Sequence, residues 1–208
     1  MKESAKTFIS MSMWIAIVLF VLRCWVGCDD LCATLSKDDF FECGYSIFGF
    51  AGESIGFAAL FMAGFNKWWW KWKPLNWLSG GMPVLAKRYK GKIRFSWDDK
   101  DQERDTEIRI EQSFLTVKVK LGTDESFSNS VTATIKEENG SKMLVYTYLN
   151  MPRAELQNRS VIHYGTAMLN IDNPKHITGN YYTTRLSRGS MDFEAVLGGG
   201  VINGKFGC

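Results

Sequence analysis

The stretch YSIFGFAGESIGFAALFMAGFNKWWWKWKP, Tyr45 to Pro74, decides how the chain is organised. From Tyr45 to Phe65 it has a single charge, Glu53. At about 1.5 Å of rise per residue this is enough helix to cross a hydrocarbon core of about 30 Å. The collar beyond it, Asn66 to Lys73, mixes indoles suited to the headgroup zone with lysines that favour the cytoplasmic side, and Pro74 is expected to stop the helix. The remainder of the chain, past Pro74, is therefore expected in the cytosol.

Toward the N-terminus, Phe8 to Val26 is a second apolar run, preceded by Lys2 and Lys6 and interrupted near its far end by Arg23, which can snorkel. No small-x-small cleavage site follows it, so a removed signal peptide is the weaker reading. The connection between the runs carries Asp29, Asp30, Asp38, Asp39 and Glu42 against Lys37, whereas both outer flanks are basic. The positive-inside rule then predicts a transmembrane hairpin, helices about 8–26 and 45–65, with the loop 27–44 outside and both termini cytoplasmic. Cys28, Cys32 and Cys43 border that loop, and a disulfide among them or free thiols fit equally.

In the second run Gly49, Gly52, Gly56, Ala59 and Ala63 recur at steps of three or four, and Gly52 and Gly56 form a GxxxG pair. Glu53 sits near mid-span, where an ionisable group needs a partner. Two readings stand: these residues join hairpins of different copies, or the glycines pack the two helices of one chain while Glu53 bonds Ser10 or Ser12.

Residues 74–83 read as a linker, and hydropathy changes character beyond them. Eight short β-type runs come next: Gly91–Trp97, Thr106–Gln112, Phe114–Leu121, Ser130–Glu137, Lys142–Leu149, Val161–Ile171, His176–Thr184 and Ser190–Leu197. Turn chemistry separates several of them, at Gly122-Thr123-Asp124, Asn139-Gly140, Asp172-Asn173-Pro174 and Arg188-Gly189. The expected fold is all-β for residues 84–208, an eight-stranded antiparallel up-and-down barrel preceded by the hairpin of residues 1–73, with a sandwich as the rival.

Net charge is +3, from 25 Lys and Arg against 22 Asp and Glu, too balanced to argue for DNA or RNA as a partner. Gly199 to Lys205 has the glycine spacing of a phosphate loop, but Phe206 stands where magnesium would need a hydroxyl. With two histidines and no barrel cysteine before Cys208, neither thiol catalysis nor a multi-histidine metal site is expected, and no cofactor is implied.

Binding has better support. Tyr146 and Tyr148 share one strand face, as do Tyr181, Thr183 and Arg185 on another, and His163 adds a donor from a third. Phenols stack on bases, hydroxyls bond base edges and arginine pairs with phosphate. The plain alternative is that these are ordinary strand formers and a solvated hairpin. A lipid-binding, lipocalin-like barrel on a membrane anchor is the competing function, and it requires an apolar lumen without arginine.

Hairpin, Trp-rich basic collar and barrel, with Leu144-x-Tyr146-x-Tyr148-x-Asn150-x-Pro152, His163-Tyr164-Gly165-Thr166 and Gly179-x-Tyr181-x-Thr183, resemble the two-transmembrane β-barrel effectors of bacterial CBASS anti-phage systems. These CD-NTase-associated membrane effectors accompany a nucleotidyltransferase that makes cyclic oligonucleotides. The resemblance implies a non-enzymatic protein of the bacterial inner membrane whose barrel binds a cyclic dinucleotide. Ligand-promoted self-association would then disrupt the lipid bilayer and kill the cell.

Overall fold

The computed structural model describes residues 2–28, 40–97, 100–158 and 160–196, and the chain divides into two compact units between Gly81 and Met82. The stretches around Lys37 and Gly199 to Lys205 lie outside the described residues.

In the first unit, α1 (Lys2–Val26) packs on α2 (Phe40–Lys67). Both are long and apolar enough to cross a membrane. The second begins earlier than expected because Phe40 and Phe41 extend the apolar run, and Glu42 suits the positive end of the helix dipole. Ser54, Ala58, Met62 and Phe65 are buried at helical spacing along one face of α2. Outward-facing positions such as Phe48, Phe57 and Leu60 are apolar, as in a helix suited to hydrocarbon.

Two hydroxyls of this unit are satisfied within their own helices. The Ser12 and Ser54 hydroxyls donate to the carbonyls of Phe8 and Phe50, each at 2.7 Å. Glu53 takes neither of its expected serine partners. Arg23 Nε meets Glu53 Oε2 at 2.8 Å, with the guanidinium 4.1 Å from the Phe50 ring centroid. Two opposite charges brought together resolve two apolar-phase penalties at once, which a serine cannot. Gly49, Gly52 and Gly56 do not serve the packing of α2 on α1, since a Cβ added to any of them meets no atom within 4 Å. Cys24 and Cys43 form no disulfide.

Pro74 is not what ends the long helix. That helix stops at Lys67, seven residues earlier, and Trp69–Lys71 forms a 3₁₀ turn whose Trp69 indole folds back over Gly64 and the Phe61 ring. Pro74 instead lies in the first turn of the short α3 (Lys73–Asn76), where its missing N–H costs nothing. A further 3₁₀ turn, Trp77–Ser79, ends at Gly80 with φ 68°.

The second unit is a closed barrel in which each strand pairs antiparallel with the next and β8 returns to β1. Its strands are β1 (Arg88–Trp97), β2 (Lys100–Gln112), β3 (Val117–Gly122), β4 (Ser126–Glu138), β5 (Ser141–Pro152), β6 (His163–Asn170), β7 (His176–Thr183) and β8 (Arg188–Ala195). Closure leaves no open edge. Asn139 and Gly140 turn the β4–β5 hairpin at φ 51° and 79°, the type I′ pattern their sequence predicts.

Two local expectations fail. Arg188 and Gly189 lie inside β8, and the β7–β8 connection falls at 184–187 with Leu186 at φ 60°. Phe114 is no strand residue but the buried side chain of a turn in which Ser113 N–H donates to the Thr116 carbonyl at 2.8 Å.

One end of the barrel is plugged. Tyr89, Ile108, Leu144, Leu169, Ile171, Ile177 and Phe193 fill it with no exposed surface. The Tyr89 hydroxyl donates to the Pro174 carbonyl at 2.7 Å and accepts the Ala86 N–H at 2.9 Å. Small and large residues alternate across paired strands: Gly91 faces Phe193, Gly179 faces Leu169, Gly165 faces Tyr148 and Gly189 faces Tyr181. A Cβ at Gly91 would lie 1.9 Å from the Asp192 carbonyl oxygen, so the wall closes this tightly only on glycine.

Candidate functional site

Above the plug, the inward positions of β5 run Leu144, Tyr146, Tyr148, Asn150, from apolar to polar along a single strand face. β4 contributes the same gradient through a bulge between Ser130 and Thr132, which places Ser126 and Ser128 toward the open end and Ala133 and Ile135 against the core. The result is a cavity of about 460 Å³, within the usual range for small-molecule sites.

All six residues singled out from sequence line it: Tyr146 and Tyr148 from β5, His163 from β6, Tyr181 and Thr183 from β7, and Arg185 from the following turn. The pairing brings them into neighbouring rows. Ser128, Asn150 and His163 are successive partners, as are Tyr148, Gly165 and Thr183, and then Tyr146, Ala167, Tyr181 and Gly189.

Sequence reasoning missed Phe95, Gln102, Arg104, Glu125, Ser128 and Asn150, which line the same space. The expected strand begins at Thr106, so Gln102 and Arg104 fall outside it, although in β2 they share the parity of buried Ile108 and Ile110. Asn150 carried a signal of the same kind, because it shares the parity of Tyr146 and Tyr148.

Glycine shapes the walls. A Cβ at Gly165 would sit 2.4 Å from the Tyr148 phenol, and one at Gly189 would sit 2.6 Å from the Tyr181 ring. Each phenol thus occupies the space a side chain at the paired glycine would take. Burial pushes the Tyr146 phenol far above its ordinary range, and burial together with neighbouring Tyr181 does the same to Tyr148. Burial also raises Tyr181, partly offset by the charge of Arg104. All three stay neutral donors at neutral pH.

Their hydroxyls differ in engagement. Tyr146 reaches Met191 Sδ at 3.9 Å, whereas the Tyr148 and Tyr181 hydroxyls find no hydrogen-bond partner among the described residues. At the rim, Arg185 Nη1 donates to Ser160 Oγ at 2.8 Å, and the Thr183 and Ser187 hydroxyls share a bond of 2.6 Å. Arg104 Nη1 contacts Glu125 Oε2 and its guanidinium lies 5.4 Å from the Phe95 ring centroid. His163 Nδ1 donates to the Val161 carbonyl at 2.9 Å, which fixes Nε2 as the acceptor in the neutral ring. Ser128 donates to Asn150 Oδ1 at 2.8 Å, leaving the amide NH₂ as a donor.

Chemically, the site offers aromatic faces, uncommitted phenol donors and two guanidiniums. These match a ligand with rings and negative charge. An apolar-ligand barrel called for a lumen without arginine, and both Arg104 and Arg185 line this one.

Comparison with known proteins is consistent with this chemistry. A family model described as Cap15, cyclic dinucleotide receptor domain, matches residues 81–195. Over 191 residues the chain is 27% identical to CD-NTase-associated protein 15 of Staphylococcus schleiferi, covering 92% of this chain and 97% of that protein. Since the matched span takes in all eight strands and more than half of the sequence, the chain belongs to the Cap15 cyclic dinucleotide receptor family.

Proposed function

We propose that the barrel binds a cyclic dinucleotide in this cavity during anti-phage defence, and that the bound state favours self-association of the hairpins and breach of the bacterial inner membrane. The observation that carries the reading is the meeting, in one cavity, of two phenol hydroxyls without a partner among the described residues and the guanidiniums of Arg104 and Arg185. Tyr148 and Tyr181 stack on the bases or donate to them, Thr183, His163 and Tyr146 complete the wall, and Arg185 holds a phosphodiester. The role is one of binding; no residue is assigned to catalysis.

Transmission has a thermodynamic condition: the ligand promotes assembly only if the assembled state binds it more tightly. Gly49, Gly52 and Gly56 have open space in front of them, which supports contact between α2 helices of different copies, with Glu53 beside that face. The basic, Trp-rich collar supports an arrangement with both termini in the cytoplasm.

The test is titration calorimetry of the full chain in nanodiscs with cyclic di-AMP, cyclic di-GMP and cyclic GMP-AMP. Binding of at least one, lost in Tyr181→Ala and Arg185→Ala variants with wild-type thermal unfolding, supports the assignment. If none binds, or binding survives both substitutions, the cavity is not the receptor site.

A further inference from the structure

Glu125 is an oddity in a cavity that otherwise suits anions. Among the described lining residues it is the single acid, and Arg104 and Arg185 are the cations. Its side chain contacts Arg104 Nη1, and the pair is about half exposed, at 38% for Arg104 and 44% for Glu125. The carboxylate is not there by a loose loop. The Glu125 N–H donates to Thr123 Oγ1 at 3.3 Å, its carbonyl accepts the Arg153 N–H at 2.9 Å, and Thr123 N–H closes the turn onto the Ser126 carbonyl at 2.9 Å. Arg104 is held in turn by the Phe95 ring.

We infer that Arg104 is a second phosphate-binding residue of the cavity and that Glu125 occupies it in the empty barrel as an internal competitor, so that ligand binding exchanges carboxylate for phosphodiester. This rests on the cyclic dinucleotide reading of the cavity. Arg185 follows β7 and Arg104 lies in β2, with β8 and β1 between them in the wall, so the two guanidiniums reach the lumen from different sides. A ligand with two phosphodiesters in one ring can offer one to each guanidinium. The exchange has a cost: the incoming anion must release an existing ion pair and stay near a displaced carboxylate. Glu125 thereby raises the ligand concentration at which the receptor fills, and keeps the Arg104 fork aligned while it is empty.

Calorimetry of the full chain in nanodiscs separates this from its premise. With whichever cyclic dinucleotide the wild type binds, Glu125→Gln is expected to tighten binding about three- to tenfold, the scale of a half-exposed ion pair plus relieved repulsion. Arg104→Met should weaken it about tenfold or more, as loss of a charge-assisted hydrogen bond implies. Glu125→Gln placed in the Arg104→Met background should then tighten binding clearly less than in the wild type, because there is no ion pair to release and only the repulsion is relieved. Unchanged or weaker binding by Glu125→Gln in a protein that unfolds at the wild-type temperature overturns the competitor role. Equal tightening in both backgrounds also overturns it, leaving plain repulsion. If wild type and Glu125→Gln bind none of the three nucleotides, the receptor reading itself falls.

Discussion

Tyr148 is held by a residue with no side chain. Its phenol lies where a Cβ on Gly165 would come within 2.4 Å, and the two are directly paired across β5 and β6. Gly165→Ala is therefore expected to destabilise the barrel by about 1–3 kcal/mol through overpacking and to weaken ligand binding with it. Tyr148→Phe should leave unfolding nearly unchanged and weaken binding about fivefold, the worth of one hydrogen bond. Thermal unfolding and calorimetry on the two variants separate shape from chemistry; a destabilised Tyr148→Phe with normal binding would refute the roles given to the ring and its hydroxyl. A second residue couples the barrel to pH. Burial works to raise the Glu107 carboxyl, but hydrogen bonds from Arg88 and Arg109, with their charges, bring it below its ordinary 4.5. A depressed carboxylate contributes stability that is present above the unfolded value and lost as pH falls through the folded one. Denaturant midpoints measured from neutral pH to below about 4 should decline more steeply for wild type than for Glu107→Gln, and parallel curves would count against the clamp. The tyrosines were legible from parity because β5 and β7 alternate cleanly. Arg104 was not, because the run from Lys100 to Asp105 is wholly polar and hides that β2 starts six residues before Thr106; only with those residues in the strand does Arg104 fall on the face of Ile108 and Ile110.

At the scale of elements, strands announced themselves where turn chemistry was strong, as at Asn139-Gly140. The β7–β8 connection did not. Arg188-Gly189 resembles a turn, but the glycine is spent on making room for the Tyr181 ring, and the chain reverses instead through Leu186, a leucine in left-handed backbone that is 95% exposed. That conformation costs a non-glycine residue about 1–2 kcal/mol, and part of the gain from removing it is offset by the greater freedom of unfolded glycine. Leu186→Gly should thus stabilise the barrel by about 0.5–1 kcal/mol in urea unfolding, and a loss of stability would mean that the exposed leucine side chain packs in some way the fold does not reveal. The hairpin was legible in the same uneven way. Hydropathy located both helices, yet the Arg23–Glu53 pair joins residues 30 positions apart and no local pattern announces it. The collar shows a further limit: Pro74 reads as a terminator, but the helix ends earlier, and a 3₁₀ turn whose Trp69 indole folds back on α2 follows it.

For the whole molecule, the proposed binding and assembly would be two readings of a single coupling. If a cyclic dinucleotide raises the tendency of hairpins to associate by some factor, association must raise affinity for the nucleotide by the same factor. A variant that cannot associate but keeps its cavity should then bind more weakly, although no substituted residue touches the ligand. Gly52→Leu with Gly56→Leu is suited to this, because both positions face open space and neither packs on α1. In dye-loaded liposomes the wild type should leak on addition of nucleotide with a steep dependence on protein density, and the double variant should stay tight. Measured in the same vesicles, the variant's affinity should fall about 5- to 150-fold, the range that couplings of roughly 1–3 kcal/mol produce. Equal affinity with lost leakage would sever the link: the glycines would act in the membrane lesion after the ligand's free energy has been spent elsewhere. Equal affinity with leakage retained would remove this face of α2 from assembly altogether.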